Sequence, residues 1–282
     1  MVENRPWTTI LAHLVLIAGV VVMAFPLWVA FVASTLDSPD FNSIPVPLLP
    51  GGHLIENYRA VLGQGVASIG GVPAGRMLAN SLVMALSVAV GKIVISLFSA
   101  YAIVFFRFPL RRVIFWVIFM TLMLPVEVRI LPTFKVAADL GLLNSYVGLT
   151  VPLIASATAT FLFRQFFLTI PDELLEAARL DGAGPWRFFK DIVLPLSWTN
   201  IAALFVILFI FGWNQYLWPL LVTTDERFYT IVVGIQRLVT VADSRPQWHL
   251  LMATTILALL PPVLVVVLMQ RLFVKGLVET EK

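Results

Sequence analysis

The 282 residues are 60% hydrophobic and 12% charged, with a mean hydropathy of +0.94, a balance too apolar for the surface of an ordinary water-soluble domain. The formal charge is +3 and the pI about 9.4, yet Lys and Arg are scattered over short loops as topology signals are, which argues against a nucleic-acid partner. Cysteine is absent, excluding disulfides, Cys-ligated zinc and iron–sulfur clusters.

These limits predict an all-α polytopic membrane protein, a single domain over 1–282. Six stretches are long and apolar enough to span a bilayer: 10–33, 78–106, 113–131, 146–163, 199–222 and 250–272, each near the roughly 20 residues that hydrocarbon demands. The first runs well past the usual 7–15-residue core of a signal peptide and reads as a retained anchor. Between the first two spans, Pro39, Pro45, Pro47, Pro50, Gly51, Gly52, Gly70, Gly71 and Pro73 predict an irregular outer cap. His53 to Tyr58 form a short interfacial helix within it. Gly91 and Gly148 suit close helix approach.

An even number of spans puts both termini on one side. On that side lie Arg5, Arg107, Arg111, Arg112, Arg164, Arg179, Arg187, Lys190, Arg271, Lys275 and Lys282; the other holds Arg59, Arg76, Lys135, Arg227, Arg237 and Arg245. Positive residues are held back on the cytoplasmic face during insertion, so both termini and the 164–198 loop are expected there.

Several polar groups fall inside spans. Lys92 lies deep in the second span, facing either the pathway or a subunit interface. Glu127 and Arg129 follow Pro125 in the third; two positions apart, they do not face each other on a regular helix. Arg129 offers a planar fork of donors to a phosphate, but snorkelling to the outer interface or pairing with a partner's acid is the stronger reading. Glu127 would repel an anion and is read as structural or as orienting a cation. Asn214, Gln215 and Tyr216, between Gly212 and Pro219, form a polar, breakable stretch suited to a gate or a substrate-lining wall. Trp213 and Trp218 beside them are read as packing or interfacial belt rather than polyol stacking.

No catalytic or metal site is expected. His13, His53 and His249 lack ligand spacing, and neither a nucleophile elbow nor a phosphate-binding Gly-rich loop with Lys occurs. The chain should bind no cofactor and hydrolyse no ATP itself. No internal repeat supports an inverted-repeat secondary transporter.

The loop at about 168–197 stands apart. Pro171-Asp172-Glu173 marks a helix start, with acids near the positive end of its dipole. A short helix is predicted over 172–181, stopped by Gly182; Gly184-Pro185 begins a second, through about residue 192. Trp186, Phe188 and Phe189 either fill a partner's groove or sit at the membrane interface.

Here the spacing of Glu176-Ala177-Ala178, Gly182, Ile192 and Leu194-Pro195 resembles the EAA loop of binding-protein-dependent ABC importer permeases. Asn57-Tyr58, Asn80-Ser81, Leu140-Gly141-Leu142-Leu143-Asn144, Gly148-Leu149 and the stretch from Trp213 to Pro219 resemble the sugar-importer branch. Within it, the stretches from Glu3 to Trp7, Leu124 to Ile130 and Ala157 to Phe167 are similar to permeases of sn-glycerol-3-phosphate importers. The resemblance implies that the loop is a helix-turn-helix coupling element, with Glu176, Ala177, Ala178 and Gly182 docking on an ATPase subunit. It also implies a homologous second permease, an ATPase dimer using ATP and Mg, and an extracytoplasmic binding protein. It places the chain in the plasma (bacterial inner) membrane, carrying sn-glycerol-3-phosphate and its glycerophosphodiesters, with a neutral sugar as the alternative.

Overall fold

The computed structural model describes residues 6–37, 47–64, 71–121, 124–240 and 247–279. Glu3, Asn4, Arg5, Pro39, Pro45, Gly70, Arg245 and Lys282 lie outside them, as do the side chains of Glu127, Arg271 and Lys275. The described residues are helical, with no strand among them. They divide into two compact units, 1–75 with 234–260 and 76–233 with 261–282.

In the first unit, helix Pro6–Ser34 leaves nearly all its apolar side chains open, Met23 at 79% exposure, as a lipid-facing helix would. Its end is tied down by Asn57, whose amide donates to the carbonyls of Ser34 at 2.9 Å and Leu36 at 2.7 Å. Tyr58 pairs its hydroxyl with that of Ser34 at 3.1 Å. The expected interfacial helix is present as Leu54–Arg59, continued by a wider turn over Ala60–Gln64.

The second unit is organised on helix Ala74–Phe105, half of whose span window is buried. Met84 and Val88 on this helix meet Ala137, Leu149, Trp218 and Val222 in one apolar core. Fully buried Asn80 donates to the carbonyls of Arg227 and Tyr229, both at 2.9 Å, and accepts from the Tyr146 hydroxyl at 2.7 Å. The Ser81 hydroxyl accepts from the Ile231 N–H at 2.8 Å. A buried amide with all of these bonds made fixes the register of three segments at once.

The spans are more broken than the apolar runs predict. Among the described residues three helices are long and apolar enough to cross a membrane, 9–34, 74–105 and 248–270, and five if two bent pairs each count as one. The first pair, Tyr146–Leu153 and Ala157–Phe167, bends by 47°; the second, Pro185–Leu196 and Trp198–Trp213, by 69°. The expected single span over 113–131 is instead two helices, Arg111–Met120 and Val126–Asp139, with Pro125 preceding the second in extended conformation. Proline has no N–H and disfavours a helical residue before it, which favours a break at Pro125, although Pro132 is accommodated inside Val126–Asp139. The stretch expected at 199–222 is likewise interrupted, as Trp198–Trp213 and Leu217–Val222.

Candidate functional site

The interruption at Asn214, Gln215 and Tyr216 opens a cavity. Gly212 brings helix Trp198–Trp213 against helix Ala74–Phe105: a Cβ there would lie 2.9 Å from Ala85 Cα. Beyond this close approach the chain turns polar, and Asn214 closes the helix by donating its N–H to the Ile210 carbonyl at 3.0 Å. Helix Leu217–Val222 restarts after Tyr216 and is anchored by Trp218, whose indole N–H donates to the Gly148 carbonyl at 3.1 Å. Trp213 and Trp218 are each 2% exposed, so neither stands in an interfacial belt, and Trp218 also lines the cavity.

The resulting cavity of about 400 Å³ is lined by Lys92, Arg129, Asn214, Gln215 and Tyr216 together, a size within the roughly 300–1,000 Å³ of small-ligand sites. All five pathway candidates from the sequence therefore meet at one place. Lys92 is 8% exposed, and its Nζ sits 3.8 Å from the centroid of Phe211, an attraction that offsets part of the desolvation of a charge at this depth. Arg129 stands on helix Val126–Asp139, exposed in the single chain, with its carbonyl accepting from Thr133 Oγ1 at 2.7 Å. Among the described residues neither cation has an ion pair, and the lining contains no carboxylate. Two cations beside two amides and a phenol can hold an anion that also carries hydroxyls.

The segment after Pro171 forms helix Asp172–Leu180, one residue shorter than expected. Gly182, at φ +69°, takes the left-handed conformation that stops it. Its N–H donates to the Arg179 carbonyl at 3.1 Å, and the Ala183 N–H reaches the Ala178 carbonyl at 2.8 Å. This pair of bonds is the Schellman closure of a helix, favoured by glycine because no Cβ clashes at positive φ. Glu176 and Ala177 are exposed, whereas Ala178 is 6% exposed and turns inward. The second short helix runs Pro185–Phe188 and continues through a wider turn, Phe189–Val193.

The aromatic residues expected to act together divide, two inside the chain and one on its surface. Phe188 and Phe189 are buried within the chain, Phe189 against Tyr101 at 5.0 Å and Phe98 at 5.1 Å, Phe188 against Phe105 at 5.2 Å. Trp186 remains 64% exposed while stacking on Phe189. Tyr101 completes the cluster, its hydroxyl donating to the Pro185 carbonyl at 2.7 Å. Tyr101 escapes a reading of the sequence because it lies in an apolar run. The only signal for it is the density of Phe98, Tyr101, Phe105 and Phe106 on one helix end.

A further contact joins two loops outside the cavity. Asn144, at φ +53°, accepts from the N–H groups of Thr224 at 2.7 Å and Asp225 at 2.8 Å. Hydrogen bonds from the Arg227 guanidinium and backbone hold the Asp225 carboxyl well down, at about 2.

Residues 92–279 match the family described as the binding-protein-dependent transport system inner membrane component. Over 282 residues, the whole of both chains, the sequence is 62% identical to the sn-glycerol-3-phosphate transport system permease protein UgpE of Brucella melitensis. It is 62% identical to the protein of the same name from Agrobacterium fabrum and 59% to that from Escherichia coli, again over all of both chains. A solved chain of a bacterial ABC transporter involved in the import of the acidic polysaccharide alginate superimposes with a TM-score of 0.81. That match covers 96% of this chain and 98% of the other at 20% identity, which establishes a shared fold.

Proposed function

This chain belongs to the binding-protein-dependent transport system inner membrane component family, and on that basis we propose that it is the permease subunit of an ATP-driven importer of sn-glycerol-3-phosphate, with glycerophosphodiesters as further cargo. The observation that carries the reading is the full-length identity of 62% to permeases of that name. The cavity supports it: Lys92 and Arg129 supply charge for a phosphate, and Asn214, Gln215 and Tyr216 supply partners for hydroxyls.

The proposed complex adds a homologous second permease, a dimer of ATPase subunits that consumes ATP with Mg, and an extracytoplasmic binding protein that delivers the ligand. The chain acts as one transmembrane domain over 1–282 in the plasma (bacterial inner) membrane, both termini cytoplasmic. Six spans follow if the interrupted stretch 111–139 counts as the third. The segment 168–197 is the coupling element. Exposed Glu176 and Ala177 meet the ATPase, Glu176 against a cationic group, while Ala178 and the Gly182 closure hold the helix in shape. ATP binding draws the ATPases together and moves this element. The buried Phe188, Phe189 and Tyr101 pass the motion to helix Ala74–Phe105, and the cavity turns outward to receive ligand. Hydrolysis resets it.

Uptake of labelled sn-glycerol-3-phosphate against a labelled neutral disaccharide, in vesicles holding the whole complex, tests this directly. ATP-dependent uptake of the phosphate ester supports it. Uptake of the sugar alone favours the neutral-sugar reading, and uptake without the ATPase favours a self-contained transporter.

A further inference from the structure

A second cavity, of about 410 Å³, lies at one end of the helices where Ala74–Phe105 and Ala157–Phe167 finish and Arg111–Met120 begins. Arg111, Arg112 and Arg164 line it, with Gln165 beside them and Phe115, Trp116 and Phe119 as its apolar wall, and among the described residues no carboxylate is in the lining. Arg164 lies with its guanidinium carbon 4.1 Å from the centroid of Phe115. Its Nε is buried and has no hydrogen-bond partner. A buried guanidinium N–H left unpaired is costly, and the cation–π interaction uses the face of the guanidinium rather than this edge donor. The Nε donor of Arg164 is therefore left short of an acceptor.

What surrounds the mouth says which acceptor. On the same helix Val113, Trp116, Val117 and Met120 are 55%, 59%, 54% and 57% exposed, an uncovered apolar strip leading away from the arginines. A free anion in water has no use for such a strip; acyl chains do. Cations gathered at helix ends beside an exposed apolar face match the border between headgroups and hydrocarbon.

We propose that this cavity binds the phosphate group of an anionic membrane phospholipid, with its acyl chains along the strip from Val113 to Met120. Arg164 Nε supplies the buried donor, Arg111 and Arg112 add charge from the rim, and the guanidinium fork recognises phosphate oxygens in pairs. The site is separate from the Lys92 and Arg129 cavity, sharing none of its lining residues. It rests on the membrane reading of the chain and not on the identity of the cargo.

Native mass spectrometry of the purified full complex, titrated with phosphatidylglycerol or with phosphatidylcholine of the same acyl chains, tests it apart from transport. The expected result is preferential binding of phosphatidylglycerol, weakened about tenfold in an Arg111→Gln, Arg112→Gln double variant and in Arg164→Gln, with Arg164→Lys restoring it only in part because Lys keeps the charge but lacks the Nε donor and the fork. The double variant alters only the helix start, so it remains informative should Arg164→Gln fail to fold. Equal binding of the two lipids, or undiminished phosphatidylglycerol binding by the double variant, overturns the proposal. So does full displacement by inorganic phosphate or sn-glycerol-3-phosphate, which would make this a site for soluble anions.

Discussion

The hydroxyl of Tyr101 donates to the backbone carbonyl of Pro185 at 2.7 Å, so the end of the central helix is bonded to the residue that opens the second half of the proposed coupling segment. Only one hydrogen bond is removed in Tyr101→Phe, and the ring stays in place against Phe189 and Phe105. The expected loss of stability is about 1 kcal/mol, readable as a lowered unfolding temperature in detergent. Uptake per ATP hydrolysed should fall as well. Unchanged coupling in a correctly inserted Tyr101→Phe chain would remove this bond from the transmission route.

Gly182 has open space around a hypothetical Cβ, but its φ of +69° is one that side chains rarely adopt and a β-branched one least of all. Gly182→Val should therefore cost about 1–2 kcal/mol of local strain without a steric clash. The membrane helices should insert normally while ATPase subunits co-purify less well. Wild-type recovery of the ATPase with this variant would mean that the Schellman closure is dispensable for docking.

Two glycines give a paired test of packing. A Cβ on Gly212 would meet the backbone of Ala85 at 2.9 Å, whereas one on Gly91 would meet the side chain of Ile154 at 2.8 Å. Neither neighbour steps aside easily: the Ala85 atoms are backbone, and the Ile154 atoms are Cγ2 and Cβ, the branch point of a stiff side chain. Gly212→Ala and Gly91→Ala should thus each cost roughly 1–3 kcal/mol, the usual penalty of overpacking. Thermal denaturation of both variants checks this, and an unchanged unfolding temperature in Gly212→Ala would contradict the close helix approach at Ala85.

The segment 168–197 is the most legible part of the chain, because Pro171, Gly182 and Pro185 act through local backbone geometry that a sequence displays directly. Observed bounds of Asp172–Leu180 against an expected 172–181 reflect that. The breaks at Pro125, near Ser156 and at Asn214 are harder to read. A run of apolar residues reports affinity for lipid and not hydrogen-bond continuity, so 113–131 reads as one span. Arg129 reads as an interface or partner residue, since nothing local to Val126–Asp139 indicates that Lys92 and Asn214 converge on the same cavity. Convergence is a property of the tertiary fold. The aromatic group at Trp186, Phe188 and Phe189 is similarly ambiguous until Tyr101 and Phe105 supply its partners.

Asp225 gives a pH prediction. Its folded carboxyl is held at about 2 by Arg227, below the ordinary value near 3.9. A depressed carboxylate contributes stability that is present above the ordinary value and lost as pH falls from about 4 toward 2. Wild type should therefore lose its advantage over Asp225→Asn across that window and keep it at neutral pH. A difference between the two chains that does not vary between pH 6 and pH 3 would show that the ion pair is not what Asp225 contributes.

In the proposed transport cycle Lys92 and Arg129 together hold the phosphate of the cargo in one cavity. The decisive measurement is the initial rate of sn-glycerol-3-phosphate uptake, in vesicles with matched amounts of the assembled complex carrying Lys92→Gln, Arg129→Gln or both. Removing one charge-assisted hydrogen bond costs roughly 1.5–3 kcal/mol, so each single variant should slow uptake at low substrate by about tenfold or more, with ATPase association unaffected. Wild-type rates in the double variant would contradict a phosphate held by these two cations.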